Sequence, residues 1–382
     1  MNKPLKSRVA VVVFTIIVCF TQSTLVWAQT VPQEKPQVPV PNSPPPGTVS
    51  APSAQITVVQ QSPGSTDEAD VLYGLQGVLV ETLDGRTVAT QSPDEAFNPA
   101  SAIKLATALV ALRTLGSGHR FITGVWTNGT VDKATATLNG NLYLSGRDPS
   151  FHHEHAVMIA RQLNTLGIKT VTGDLIVAPG FTMNFNWSAR GSGEQLYDTL
   201  DSTLRSSEAT RSWLYERTAL GDKESLQTVP GLAVMGEVQV NTVGSDAKLL
   251  LSHRSSRLVD ILKVLLCYSN NFMAERLGDT LGGRQSVQLE ITRLLGISPS
   301  EFNISSLSGL GVNRVTPRTM MKVLRALRDE LRANHLSMTD IMAVAGIDPG
   351  TLEDRFVEPS RRGSVIAKTG TLIRTDGGVS SL

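Results

Sequence analysis

Three short motifs stand in one order along the chain: Ser101-Ala102-Ile103-Lys104, Ser269-Asn270-Asn271 and Lys368-Thr369-Gly370. Each alone is common; the ordered set points to serine acyl transfer. A serine hydroxyl is a poor nucleophile until a base takes its proton. Residues three apart on a helix share a face, so the Lys104 amine can reach the Ser101 hydroxyl. A lysine serves as that base when desolvation and nearby positive charge keep it neutral, and Lys368 is the expected second cation. Ser269 and Asn271 bracket one position. The hydroxyl can relay a proton to a leaving amine, and the amide can orient a lysine and a substrate carbonyl. Lys368 offers a fixed cation for a substrate carboxylate, with Thr369 beside it. Gly370 leaves room for substrate backbone. The N–H groups of Ser101, at a helix start, and of Thr371 are the expected oxyanion donors.

These residues need elements to hold them. Residues 77–90 predict a hairpin, with Asp84-Gly85 as its turn. Asn98-Pro99-Ala100 precedes an Ala- and Leu-rich run, so a buried helix is expected from about Ser101 to Leu115. Short strands are predicted at 123–126, 134–138, 142–144 and 173–177, with a helix over 157–166. Residues 186–230 read as polar and irregular, with short helices as the alternative. Helical periodicity returns at 257–266, 272–281, 285–295 and 317–331, the last opened by Thr316-Pro317. Ser364–Arg374 predicts a strand, Thr375-Asp376-Gly377-Gly378 a turn, and Val379 the start of its partner. The order predicts an α+β body over 66–120 and 231–382, interrupted by a smaller α/β module at 121–230.

The N-terminus predicts export. Lys3, Lys6 and Arg8 precede the apolar run Val9–Phe20, and Val26-Trp27-Ala28 offers a small-x-small cleavage site, so 1–28 reads as a signal peptide. Twelve apolar residues fall short of the roughly 20 that span a bilayer. Loose membrane association follows only if the segment stays uncut. Nine prolines make 29–65 an extended tether. A net charge of +1 argues against nucleic-acid partners. Two cysteines cannot make a disulfide scaffold or a four-thiolate zinc site.

Residues about 70 to 382 resemble the low-molecular-mass class C penicillin-binding proteins, the D-alanyl-D-alanine carboxypeptidase/endopeptidase family. The resemblance rests on the three motifs, on Gly146-Arg147-Asp148-Pro149, on Tyr268–Glu275, and on Ser308-Gly309-Leu310 with Asn313-Arg314-Val315-Thr316-Pro317. It implies a transpeptidase-like, serine β-lactamase-like domain with an antiparallel sheet, helices and an insertion after the first motif. It also implies peptidoglycan stem peptides as substrate, β-lactams as covalent inhibitors, a periplasmic or secreted setting and no cofactor. Only twelve residues follow Gly370, whereas the family's sheet continues with two strands and a closing helix. A C-terminally incomplete domain is therefore expected, with instability or inactivity as its consequence.

Two other functions share these residues: a non-catalytic wall-binding relative, and a β-lactamase. Against the latter, this chain has no Glu-x-x-Leu-Asn element after Ser269 to supply a deacylation base like that of class A enzymes. His152-His153-Glu154-His155 reads as a solvated helix start, since its spacing lacks a helical metal face. Trp126 and Trp187 read as packing residues, Cys267 as a buried helix residue, and Arg361-Arg362 as a solvated turn.

Overall fold

Asp84-Gly85 turns the chain as expected, with Gly85 at φ 95° between β1 (Val78–Glu81) and antiparallel β2 (Thr87–Gln91). The computed structural model describes residues 77–219, 221 and 229–372. The expected signal, the proline tether, the 375–378 turn and the strand from Val379 lie outside the described residues. A short 3₁₀ turn over Ala100–Ile103 leads into α1 (Lys104–Leu115). Every residue from Lys104 to Leu112 is buried, so α1 is the central helix of the body. Small alanines let the surrounding helices approach, and each fully buried leucine contributes about 1.5–3 kcal/mol.

The insert follows. It contains β3 (Ile122–Thr127), β4 (Thr130–Asp132), β5 (Thr137–Asn139), β6 (Leu142–Ser145), α2 (His153–Thr165), β7 (Thr170–Val171) and β8 (Leu175–Val177). It continues with α3 (Ala189–Leu200), α4 (Ser207–Ala219), β9 (Ala233–Val234), β10 (Val238–Val240) and β11 (Lys248–Arg254). One sheet has the order β10-β8-β6-β3-β11, parallel across β10, β8 and β6 and antiparallel from β6 to β3 to β11. A second has the order β4-β5-β7-β9. Both feed a single core that includes Val125, Leu138, Leu144, Val171 and Leu175.

Two expectations change here. The insert does not end at 230. Strands β10 and β11 complete its sheet, and Leu250 and Leu251 pack on its core, so the boundary moves to about 254. Entry and exit are stitched together at Phe121, whose N–H donates to Ser255 Oγ (2.8 Å) while its carbonyl accepts from Ser255 N–H (2.9 Å). The short helices that 186–230 leaves open are α3 and α4, of 12 and 13 residues. The α3 face toward the sheet includes Ser192 and Gly193, and a Cβ on Gly193 would meet Val238 Cγ1 at 2.7 Å. Leu196 and Leu200 complete that face, so its apolar pattern is diluted by small and polar residues. The strand expected over 134–138 begins only at Thr137. Before it, Asp132 accepts from Ala134 N–H (2.9 Å) and Thr135 Oγ1 (2.8 Å), and this Asx-type turn overrides strand propensity.

The chain then returns to the body with α5 (Leu258–Cys267), α6 (Asn271–Thr280), α7 (Gly283–Leu295), β12 (Phe302–Asn303), β13 (Arg314–Val315), α8 (Pro317–Ala333), β14 (Ala343–Val344) and β15 (Ile366–Ala367). Thr316 Oγ1 accepts from Thr319 N–H (3.0 Å) with Pro317 at the first helical position, so α8 starts as its Thr-Pro signal predicts. Helices α1, α5, α6, α7 and α8 share one core. Among the described residues, the body's strands form three antiparallel pairs: β1-β2, β12-β13 and β14-β15. The predicted terminal strand is paired only at Ile366–Ala367, and its end at Ile373 and Arg374 lies outside the described residues. The architecture is a mixed α+β fold.

Candidate active site

Ser101 lies in the turn before α1, and Lys104 opens the helix. Lys104 is fully buried. Its Nζ donates to Ser101 Oγ (2.8 Å), Asn271 Oδ1 (2.7 Å) and the Ser308 carbonyl (2.5 Å). Three acceptors use all three ammonium protons. Ser101 Oγ also donates to the Ser308 carbonyl (3.4 Å). Burial lowers Lys104 from 10.5 to about 7, against the opposing pull of the Glu275 carboxylate. The charged form is thereby disfavoured by about 5 kcal/mol, and half the amines are neutral near pH 7.

Lys368 follows β15, is also fully buried, and donates to Ser269 Oγ (2.7 Å) and the Thr369 carbonyl (2.6 Å). Burial, helped by the like charge of Lys104, lowers it from 10.5 to about 7. The two predicted lysines are thus electrostatic neighbours. Thr369 side chain and Thr371 make no hydrogen bond among the described residues; Thr371 is exposed and Gly370 is buried.

Ser269 and Asn271 occupy the α5–α6 junction. Ser269 takes φ 55°, a left-handed conformation costing a non-glycine residue roughly 1–3 kcal/mol. The surroundings hold it there. Asn270 N–H donates to the Leu265 carbonyl (3.0 Å), and Asn270 Oδ1 caps α6 by accepting from Met273 N–H (2.9 Å). The Cys267 carbonyl accepts from Thr351 N–H (2.9 Å). That sharp turn lets Ser269 reach Lys368 while Asn271 reaches Lys104. Cys267 itself is buried, and desolvation raises its thiol pKa.

Other residues complete the site without having carried a predicted role. The Ser308 carbonyl is the third acceptor for Lys104. Glu275 Oε1 fixes that carbonyl's loop by accepting from Leu307 N–H (3.1 Å) and Ser308 N–H (2.8 Å). Gly309, at φ 92°, passes so close to the nucleophile turn that a Cβ would lie 2.0 Å from the Ala100 carbonyl oxygen. Asn98 bridges the same two segments, accepting from Ala100 N–H (3.2 Å) and donating to the Gly311 carbonyl (2.9 Å). Buried Asn313 closes the loop, donating to the Gly309 carbonyl (3.1 Å) and accepting from Ser305 N–H (2.8 Å). Ser308, Gly309, Asn313 and Glu275 fall in motifs that carry the family resemblance and Asn98 just precedes the nucleophile helix, but nothing in sequence spacing shows that one loop caps the nucleophile.

Two further expectations also change. His152–His155 opens α2 half-buried rather than solvated: His152 pairs with Asn184 (3.0 Å), and His155 stacks between Phe151 and His253. Trp187 is 55% exposed rather than packed in a core, and it joins the insert to α6 through Phe272 (4.8 Å) and the Arg276 guanidinium (4.7 Å).

Comparison with known proteins gives a consistent picture. The model of the D-Ala-D-Ala carboxypeptidase 3 (S13) family matches residues 65–189 and 213–382. A D-alanyl-D-alanine carboxypeptidase from Actinomadura sp. (strain R39) is 32% identical over 133 residues, 34% of this chain and 24% of that protein. The match therefore spans about a quarter of that relative's length. A predatory peptidoglycan endopeptidase from Bdellovibrio bacteriovorus has a similar fold, with TM-score 0.62, 22% identity, and coverage of 79% of this chain and 81% of that one. Penicillin binding protein 4 from Haemophilus influenzae is similar at TM-score 0.56 and 20% identity, with coverage of 80% and 88%. The motifs, the buried lysines and the family match agree: this chain belongs to the D-Ala-D-Ala carboxypeptidase 3 (S13) family.

Proposed function

We propose that the chain is a serine D-Ala-D-Ala carboxypeptidase/endopeptidase, acting on peptidoglycan stem peptides through an acyl-enzyme on Ser101 and acylated likewise by β-lactams. One observation carries the reading: a fully buried lysine, lowered to about 7, donates to the Ser101 hydroxyl at 2.8 Å. In its neutral form Lys104 takes the Ser101 proton during attack on the D-Ala–D-Ala carbonyl. The N–H groups of Ser101 and Thr371 receive the developing oxyanion. Ser269, held by Lys368, passes a proton to the departing amine, while Lys368 and Thr369 receive its carboxylate. Water then releases the acyl group.

A β-lactamase needs fast deacylation. The carboxylate that acts on Lys104, Glu275, is spent on two backbone N–H groups, which supports a slow-deacylating acyl-enzyme instead. The related Bdellovibrio bacteriovorus endopeptidase has been solved acylated by penicillin G. The signal-like N-terminus and a substrate outside the cytoplasmic membrane support a periplasmic or secreted protein. The uncut signal remains the route to any loose membrane association.

The test is labelling with a fluorescent penicillin. One covalent label per chain is expected, and its loss in Ser101→Ala. Labelling that survives Ser101→Ala removes Ser101 as nucleophile, and rapid nitrocefin turnover replaces the peptidase with a β-lactamase.

A further inference from the structure

Between the insert and α6 lies a cavity of about 410 Å³, lined by Arg147, Gly180 and Thr182 from the insert and by Arg276, Asp279, Gly282 and Gly283 from the body. No step proposed for Ser101 uses these side chains. Arg147 is exposed and has no hydrogen bond or ion pair among the described residues. Thr182 is 6% exposed, lines the cavity, and has no hydrogen-bond partner among the described residues, so its hydroxyl is left to the cavity. Arg276 is already fixed: one nitrogen donates to Asp279 (2.8 Å), and the guanidinium stacks on Trp187 (4.7 Å) and Phe272 (5.6 Å). Its Nε is buried without a partner. Asp279 offsets one of the two cations, so the lining keeps one net positive charge.

The backbone adds to this field. Gly282 and Gly283 are the N-cap and first residue of the 13-residue α7, which has no side-chain cap and no acidic residue in its first turn. Its unpaired N–H groups and positive dipole end therefore meet the cavity, where they favour an anion. Gly283 leaves that approach bare, since a Cβ there would find nothing within 4 Å, whereas one on Gly282 would meet Ser286 Oγ at 2.7 Å.

We propose that this cavity is an oxyanion subsite, formed by Arg147, Thr182, Arg276 and the α7 N-terminus, that holds a carboxylate of a peptidoglycan strand while its D-Ala–D-Ala end is cut at Ser101. The proposal rests on the function above. Position supports it. Asn271, which touches Lys104, and the cavity residues Arg276 and Asp279 share α6, about 8 and 12 Å apart along its axis at 1.5 Å per residue. An extended peptide covers that in about three to four residues. A carboxylate several residues from the cut bond, on the same stem or on the one cross-linked to it, spans the distance.

The experiment uses Arg147→Gln, which removes a charge with no structural partner. Wild type and variant are compared on a stem peptide with free carboxylates, on the same stem with its side carboxyls amidated, and in acylation by benzylpenicillin. The expected result is a KM raised roughly tenfold for the carboxylate stem with kcat unchanged, the size of one charge-assisted hydrogen bond. The amidated stem and penicillin acylation should show no difference. A stem bearing its carboxylates on the cross-linked arm only separates the two sources, since the KM effect follows the arm that is held. Equal KM changes on both stems, or none on either, overturn the subsite. So does competition by inorganic phosphate in the wild type without any KM effect of Arg147→Gln, which would mean a free anion occupies the cavity. Failure of the wild type to be acylated at all would instead strike the catalytic proposal.

Discussion

Glu275→Gln separates what the Glu275 charge does from what its oxygen does. Its Oε1 accepts from Leu307 and Ser308 N–H and so fixes the carbonyl that receives Lys104. A glutamine oxygen can accept the same bonds, but the charge that raises the Lys104 pKa is gone. Opposite charges a few ångströms apart shift a pKa by about 1–3 units, and the lower end applies where backbone intervenes. Lys104 should therefore fall from about 7 by about one unit. Acylation needs the neutral amine, so its rate rises with pH through this pKa, and the rising limb moves to lower pH in the variant. At pH 6 about a tenth of the wild-type amines are neutral against about half in the variant, roughly a fivefold gain in competent enzyme. Above about pH 8 the gap closes. The assay is the second-order rate of fluorescent-penicillin acylation from pH 5 to 9. Superimposed limbs, or a variant limb displaced to higher pH, would refute the electrostatic role. Glu275→Ala is the geometric control: with both N–H groups left unpaired, acylation should fall at every pH.

Two further outcomes follow from the same packing. Gly309→Ala would force a Cβ to 2.0 Å from the Ala100 carbonyl oxygen at φ 92°, so acylation should drop at least about a hundredfold, with a loss of about 2 kcal/mol or more in denaturant unfolding. For Lys368, lowered from 10.5 to about 7, the unfolded chain binds more protons across that window. Stability contributed by this residue therefore rises with pH from about 7 to 10.5, by up to about 1.4 kcal/mol per unit. The unfolding free energy of wild type minus Lys368→Met, measured against pH, should show that positive slope, and a flat difference would mean Lys368 is charged when folded.

Much of this site was legible because its chemistry is local. The Ser101 and Lys104 spacing on a helix start brings Nζ to Oγ directly, and the Ser269-Asn270-Asn271 junction needs only two helix patterns to be seen. The body's helices carry apolar faces with a 3.6-residue period, so α5 to α8 appear nearly in register with their sequence pattern. What sequence hid was long-range or made of small groups. Ser308 contributes a backbone carbonyl, which any residue could supply, across 204 positions from Lys104. Helix α3 buries only Leu196 and Leu200 among its apolar residues, alongside Ser192, Gly193 and Thr199, so its hydrophobic pattern is faint. Strands β10 and β11 lie far from their partners in sequence, so pairing alone moved the insert boundary from 230 to about 254.

Helix α6 ties these parts together. Asn271 and Glu275 stand four residues apart and so share one face, where the first touches Lys104 and the second fixes the loop that does. Phe272 and Arg276, one position on, share the neighbouring face and clasp Trp187 of the insert. The insert is thus seated on the same turns that set the environment of Lys104. A shift of that seat of even a few tenths of an ångström acts on hydrogen bonds already at 2.5 to 2.8 Å. This gives the insert a physical route to the reaction centre even though none of its residues donates to Ser101 or Lys104 among the described contacts.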